Sequence, residues 1–292
     1  MATDPAVIRR RRAFALGAIV LVVVAVAVGA AFALPHVHRK HTVPPPPPPP
    51  HAYKVVFPEG FTRAQMAARV GAVAGIAKRE RHGRPVRLNA TAYLAASRSA
   101  TIPCFHPRRW TNLEGFLFPS TYEFIYKTTS KQLVATQLDA FCSVWRDVDL
   151  RYAGSKNLTD YDVLKIASLI QGEAVVDSDR PKIAAVIYNR LHLRMPLAID
   201  AALRYALHIP GTESIHESQL ANDTPYNLRL HAGLPPTPIG NPGLASLEAA
   251  AHPSRLGYLY YVRIPGTTRH AFFADAAAYD AYLSAHGYGP HP

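Results

Sequence analysis

Cysteine is scarce, with Cys104 and Cys142 the only two in 292 residues. No paired CxxC, no HExxH and no comparable ligand spacing occurs, so nothing in the chain argues for a bound metal. A phosphate-cradling loop ending in Gly-Lys-Ser/Thr is missing, as is any aromatic and basic string of the kind RNA-binding sheets carry. Acidic residues are the other shortage: 20 Asp and Glu stand against 32 Lys and Arg, a formal net charge of +12. That balance favours an anionic partner, whether nucleic acid, acidic lipid headgroups or acidic wall polymers. Charge alone would support nucleic acid, and none is expected as a partner.

Charge is absent altogether from residues 13–34, a run rich in Val, Ala, Leu and Ile and long enough as a helix to cross about 30 Å of hydrocarbon. The run predicts a transmembrane helix. Ala31-Phe32-Ala33 offers a small-x-small cleavage site, but the apolar stretch exceeds the ~7–15 residues of a signal peptide core, which favours an uncleaved anchor. Arg9, Arg10, Arg11 and Arg12 precede it, so residues 1–12 should be cytoplasmic and the rest should face outward from the cytoplasmic (inner) membrane, although Arg39 and Lys40 follow the run. Seven consecutive prolines end a linker over 35–52 and should stand as a stiff polyproline spacer. His36, His38 and His41 lie on an exposed strip with nothing to orient them, and no metal is expected there. Outside the membrane the two cysteines are free to oxidise, and the sequence leaves open whether they pair or stay as separate buried thiols.

Tyr53 to Phe57 reads as a strand closed by Pro58-Glu59-Gly60. Thr62 then caps a helix carrying Met66, Ala67, Val70 and Val73, and Asn89 or Thr91 caps a second short helix, giving a compact α+β unit. Further on, Thr159 or Asp160 caps a helix whose apolar positions Val163, Ile166, Ala167, Ile170 and Ala174 recur at helical spacing. Glu173 follows Ile170 by three and Ile166 by seven, which sets its carboxylate beside the apolar stripe. Burial there would raise its pKa, as a general acid at neutral pH requires. The other reading is a marginal Glu that reaches water or pairs with Arg180 or Lys182.

Several strings then resemble the endolytic murein transglycosylases, a YceG-like family of peptidoglycan-cutting enzymes, over about Tyr53 to Tyr282. Val56-Phe57-Pro58-Glu59-Gly60-Phe61-Thr62 resembles the opening of that family's LysM-like subdomain. Leu113-Glu114-Gly115-Phe116-Leu117-Phe118-Pro119-Ser120-Thr121-Tyr122 is similar to a more specific signature, with Ser120 where Asp is usual. Ala167-Ser168-Leu169-Ile170-Gln171-Gly172-Glu173-Ala174 and Arg180-Pro181-Lys182-Ile183-Ala184-Ala185-Val186-Ile187-Tyr188-Asn189-Arg190-Leu191 resemble its catalytic stretch, with Gln171 in place of a second glutamate. Met195-Pro196-Leu197 with Asp200 matches a further motif in which Ala201-Ala202 replaces Pro-Thr. Thr224-Pro225-Tyr226-Asn227, the proline-dense loop from Gly233 to Ile239, and His270-Ala271-Phe272 complete the resemblance.

The resemblance implies an α+β fold: a transmembrane helix, a small LysM-like subdomain over 53–125 and a larger catalytic domain over 126–292. It implies Glu173 as the catalytic acid, with Glu114, Asn189, Asp200, Tyr226, Asn227 and His270 as substrate-binding candidates and no cofactor. Glu114 and His270 also have purely structural readings. The expected reaction cuts the bond between MurNAc and GlcNAc in nascent strands and leaves a 1,6-anhydro end, terminating elongation. Expected partners are glycan strands and the penicillin-binding synthases. Two other functions stay open: a non-catalytic wall-binding scaffold, to which the substitutions at Ser120, Gln171, Ala201 and Ala202 would lead, and a hydrolase using Asp200 or Glu114 as a second carboxylate.

Overall fold

The computed structural model describes residues 5–33, 49–105 and 109–288. The chain divides into two compact units, 1–49 and 50–292. In the first, α1 (Pro5–Ala33) is a single helix of 29 residues. Its described apolar side chains, from Phe14 to Val28, are exposed. Among the described residues no helix is long and apolar enough to cross a membrane. Leu34, the three linker histidines and most of the proline run lie outside the described residues.

The second unit opens with β1 (Tyr53–Val56). Its only buried residue is Val55, as a two-residue period demands of a strand with one covered face. Helix α2 (Arg63–Glu80) follows, started by a reciprocal capping box: Thr62 accepts from the Gln65 N–H and Gln65 returns the bond to the Thr62 N–H. Asn89, not Thr91, caps α3 (Ala90–Ala96) by accepting from the Ala92 N–H. The short strands β2 (Ala100–Thr101) and β3 (Arg109–Trp110) pair with each other, and β4 (Thr121–Phe124) returns antiparallel to β1 with Val55 opposite Tyr122.

Helices dominate from there: α4 (Ser130–Trp145), α5 (Arg151–Ser155), α6 (Asp160–Glu173), a 3-10 turn at Asp177–Asp179, α7 (Arg180–His192), α8 (Asp200–Leu207), α9 (Glu217–Leu220) and α10 (Leu244–Ala251). A hairpin of β5 (Tyr260–Arg263) and β6 (His270–Phe273) precedes the last helix, α11 (Ala276–Ala285). Thr159 caps α6 in another reciprocal box, with Asp162. Helix α6 is the hub of this half: Ile166, Ala167, Leu169 and Ile170 are fully buried and pack against α7 and α10. The architecture is α+β, and each sheet among the described residues is a two-stranded antiparallel pair.

One apolar core runs through this unit. Phe105, Phe116, Phe141 and Trp145 cluster with ring centroids about 5 to 6 Å apart. Full burial of each such ring stabilises by roughly 2–3 kcal/mol. Cys104 and Cys142 form a disulfide beside this cluster, with Cα atoms 5.4 Å apart, so the pairing that the sequence left open is made. The first signature string meets the proline-dense loop at Gly115, whose φ of +90° favours glycine and where an added Cβ would lie 2.6 Å from Pro238. Buried Asn241 joins the same two segments, accepting from the Leu117 N–H and donating to the Phe61 carbonyl and Glu114.

Candidate active site

Glu173 is the last residue of α6, half-buried, on the margin of the helix that the apolar periodicity marks. A carboxylate gains nothing from the partial negative charge at a helix C-terminus. Loss of water on burial raises its pKa above the usual carboxylate value, and the nearby charge of Asp200 pushes the same way. Opposing these, the Tyr261 hydroxyl on β5 donates to Glu173 Oε2 at 3.0 Å, and the nearby Ala201 N–H and Arg263 favour the charged form. Neither Arg180 nor Lys182 pairs with it. Arg180 bonds Asp177 and Ser246, and Lys182 lies 3.9 Å from Asp179.

The start of α8 is pressed against the end of α6, since a Cβ on Gly172 would come within 2.9 Å of the Ala201 Cβ. Ala201 stands where the resemblance expects proline, and a proline would have no N–H to offer Glu173. Ala201→Pro should therefore raise the Glu173 pKa further and move the loss of activity at high pH to a higher value. Proline suits the first turn of a helix, so folding should persist. A pH–rate profile checks this, and an unmoved alkaline limb would refute the link.

Around Glu173 opens a cleft of about 480 Å³ with Asp200, Arg190, Arg204, Arg229, Arg263 and Tyr261 on its walls. Asp200 is held by Arg229 through two bonds, Nε to Oδ1 at 2.8 Å and Nη2 to Oδ2 at 3.1 Å. His270 also lines the cleft: its backbone N–H and ring Nδ1 lie 2.8 and 3.1 Å from Oδ2 of buried Asp179. Its ring meets Tyr261 edge to face at 5.4 Å. Asp179, His270 and Tyr261 thus form a brace ending on the Glu173 carboxyl.

A neighbouring cleft of about 630 Å³ shares Gly172, Ala201, Arg204 and Gly211 with the first and contains Glu114. Glu114 is buried and accepts from the Arg63 N–H, the Tyr205 hydroxyl and Asn241. Burial outweighs these donors and lifts its pKa from 4.5 to about 7. A folded-state value above the unfolded one means that Glu114 favours the fold below pH 4.5 and that this contribution is lost as pH rises through 7. The difference is up to about 3 kcal/mol. Glu114→Gln should make the fall of melting temperature over that range shallower; an unchanged slope would refute this.

Three of the candidates lie elsewhere. Asn189 donates to the Leu256 and Tyr258 carbonyls, and buried Asn227 to those of Leu220 and Asn222. The Tyr226 hydroxyl bonds Thr237. All three brace loops, and none lines the Glu173 cleft. Gln171 is also structural: its Oε1 accepts from the Gly243 N–H and the Ser246 hydroxyl. Ser120 is exposed. Tyr261, Arg229, Arg263, Asp179 and Asn241 escaped the sequence reading. Alternation in the strand from Tyr258 to Val262 was the one signal that could have singled out Tyr261. A third cavity of about 460 Å³, beside Asp147, Glu248 and His252, does not include Glu173.

The model of the YceG-like family matches residues 40–284. An endolytic murein transglycosylase of Bacillus subtilis (strain 168) is 37% identical over 150 residues, 51% of this chain and 41% of that protein. One of Streptococcus pneumoniae (strain ATCC BAA-255 / R6) is 33% identical over 229 residues, 71% of this chain and 40% of that one. The chain spans about two fifths of the length of these curated relatives. A crystal structure of a yceG-like protein from Listeria monocytogenes superposes with a TM-score of 0.64 at 28% identity, covering 78% of this chain and 75% of that one.

Proposed function

The chain belongs to the YceG-like family, and from that premise we propose that it is an endolytic lytic transglycosylase acting on peptidoglycan glycan strands. One observation carries the reading: a half-buried carboxyl of raised pKa, gripped by Tyr261, at the wall of an open cleft. Burial of this kind favours the protonated carboxyl, the form that donates to a glycosidic oxygen.

Glycosidases that use water or a covalent intermediate need a second carboxylate. Here Asp200 is engaged by Arg229, and Glu114 is held by three donors in the adjoining cleft. A single acid suffices if the sugar attacks itself. Glu173 gives its proton to the oxygen between MurNAc and GlcNAc and, now ionised, takes the proton from the MurNAc C6 hydroxyl, which closes on C1 as a 1,6-anhydro ring. The nucleophile belongs to the same sugar, so effective concentration replaces a second catalytic group. The brace through Asp179, His270 and Tyr261 fixes the acid, and Ala201 and Arg263 favour its ionised form in the second half of the reaction.

In this reading residues 53–125 form a LysM-like, glycan-holding subdomain and 126–292 the catalytic domain. The β1–α2–α3 run closed by an antiparallel β4 supports the first. The uncharged run over 13–34 anchors the chain in the cytoplasmic membrane, with the second unit outside. Cleavage of strands as synthases extrude them would end their elongation. Digestion of purified peptidoglycan followed by mass spectrometry tests the reaction. Anhydro-MurNAc ends support it, reducing ends would replace it with hydrolysis, and binding without cleavage would leave a scaffold.

A further inference from the structure

Arginine dominates the Glu173 cleft: four guanidiniums and two carboxyls line it. Four positive charges face at most two negative ones, a surplus of at least two. Two of the arginines are committed to the fold. Arg229 is matched to Asp200 in a bidentate pair, and Arg190 donates to the carbonyls of Leu259, Pro196 and Leu197 while its guanidinium covers the Tyr260 ring. Arg204 uses Nη1 on the Pro210 and Glu213 carbonyls. Arg263 is exposed, and its side chain makes no hydrogen bond or ion pair among the described residues.

Position separates Arg263 from an ordinary solvated arginine. It follows Tyr261 by two residues on β5, so the two side chains leave the strand on the same face. That is the face from which Tyr261 reaches Glu173, and both side chains line the cleft. Arg263 also sits opposite His270, another lining residue, across the hairpin. The glycan backbone itself is uncharged. The anionic groups on such a strand are carboxylates borne on MurNAc, either on the lactyl ether or on the peptide stem attached to it. Resting on the transglycosylase reading of this cleft, we infer that Arg263 is a specificity-determining residue that binds a carboxylate carried by the MurNAc substituent. The substrate is therefore the anionic, substituted strand and not the bare polysaccharide. A guanidinium presents paired N–H donors to a carboxylate, a geometry that a lysine ammonium does not reproduce.

The test needs binding alone. Full-length Glu173→Gln protein, with and without Arg263→Ala, is co-sedimented with three preparations of strands: stem-bearing, amidase-stripped, and stem-bearing with all carboxylates converted to amides. The expected result is about tenfold weaker binding of carboxylate-bearing strands by the Arg263→Ala protein, the scale of one charge-assisted pair at a partly exposed site. No difference is expected on amidated strands, and Arg263→Lys should restore binding in part. A loss confined to stripped strands, in which amidase has freed the lactyl carboxylate from its amide link, assigns that group; a loss confined to stem-bearing strands assigns the stem; a loss on both shows that Arg263 takes either carboxylate. Equal binding of all three preparations by both proteins, or the same loss on amidated strands, overturns the inference. Because binding is read without turnover, the carboxylate contact is judged even if the products carry reducing ends and the transglycosylase reading fails.

Discussion

Glu173→Gln is expected to lower the rate of strand cleavage by about 10³-fold or more, the contribution of a positioned acid and base that no other group replaces. The substitution keeps size and an acceptor oxygen for Tyr261 while removing the transferable proton. Fold loss is not a rival explanation, because stability should move the other way. The Glu173 pKa is raised in the folded state, so its contribution to stability is present at low pH and lost as pH rises through the folded value. The amide has no charge to keep dry, and at neutral pH and above the variant should melt at or above the temperature of the parent. Anhydro ends counted by mass spectrometry, beside thermal melts, decide the matter. A folded variant that releases them at the parental rate would remove Glu173 from the chemistry.

Removing the disulfide should produce the largest loss of stability. Cys104 and Cys142 are separated by 38 residues, and closing a loop of that length in the unfolded chain is worth about 4 kcal/mol in the chain-entropy model. For a unit of this size the melting temperature should fall by roughly 10 °C when both cysteines become alanine or when the bond is reduced. The bond ties the turn after β2 to α4, beside the packed rings of Phe105 and Phe141. Thermal melts with and without reductant measure the effect, and a melting temperature insensitive to both treatments would show that the bridge contributes nothing. A bond of this kind persists in an oxidising compartment, in keeping with the proposed location outside the cytoplasmic membrane.

Local chemistry made much of the fold legible. Capping residues were visible because a hydroxyl or amide oxygen three positions before the N–H that donates to it needs no distant partner: Thr62 and Asn89 start α2 and α3 as their positions suggest. Helical periodicity placed the buried face of α6 and set Glu173 at its edge, since a helix repeats regardless of what it packs against. The β5 strand was found by alternation but begins two residues later than the pattern, because pairing with His270 to Phe273 sets its ends. Glycine and proline in the signature strings marked tight turns, and Gly115 is held at positive φ against Pro238.

Side-chain roles were less legible where they depend on distant segments. Asn189, Tyr226 and Asn227 are polar residues in motifs, and polarity alone does not distinguish a group that faces a ligand from one that satisfies a buried carbonyl. Each bonds a loop of its own surroundings. Tyr261 and Arg263 reach the acid from 88 and 90 residues away in sequence, through a hairpin whose partner strand decides which face they present. No spacing rule spans that separation.

The sequence by itself determined the α+β class, the caps and buried face of α6, the candidate acid at its edge and the basic balance of the chain. These follow from interactions within a few residues of one another, whose geometry the backbone imposes. Only the tertiary structure decided that Cys104 meets Cys142, that Glu114 and Glu173 occupy adjoining clefts, and that Ala201, Asp200 and Tyr261 converge on one carboxyl. The reason is physical: a pKa, a cleft and a cross-link depend on what stands within a few ångströms in space, and chain order carries that distance only for near neighbours.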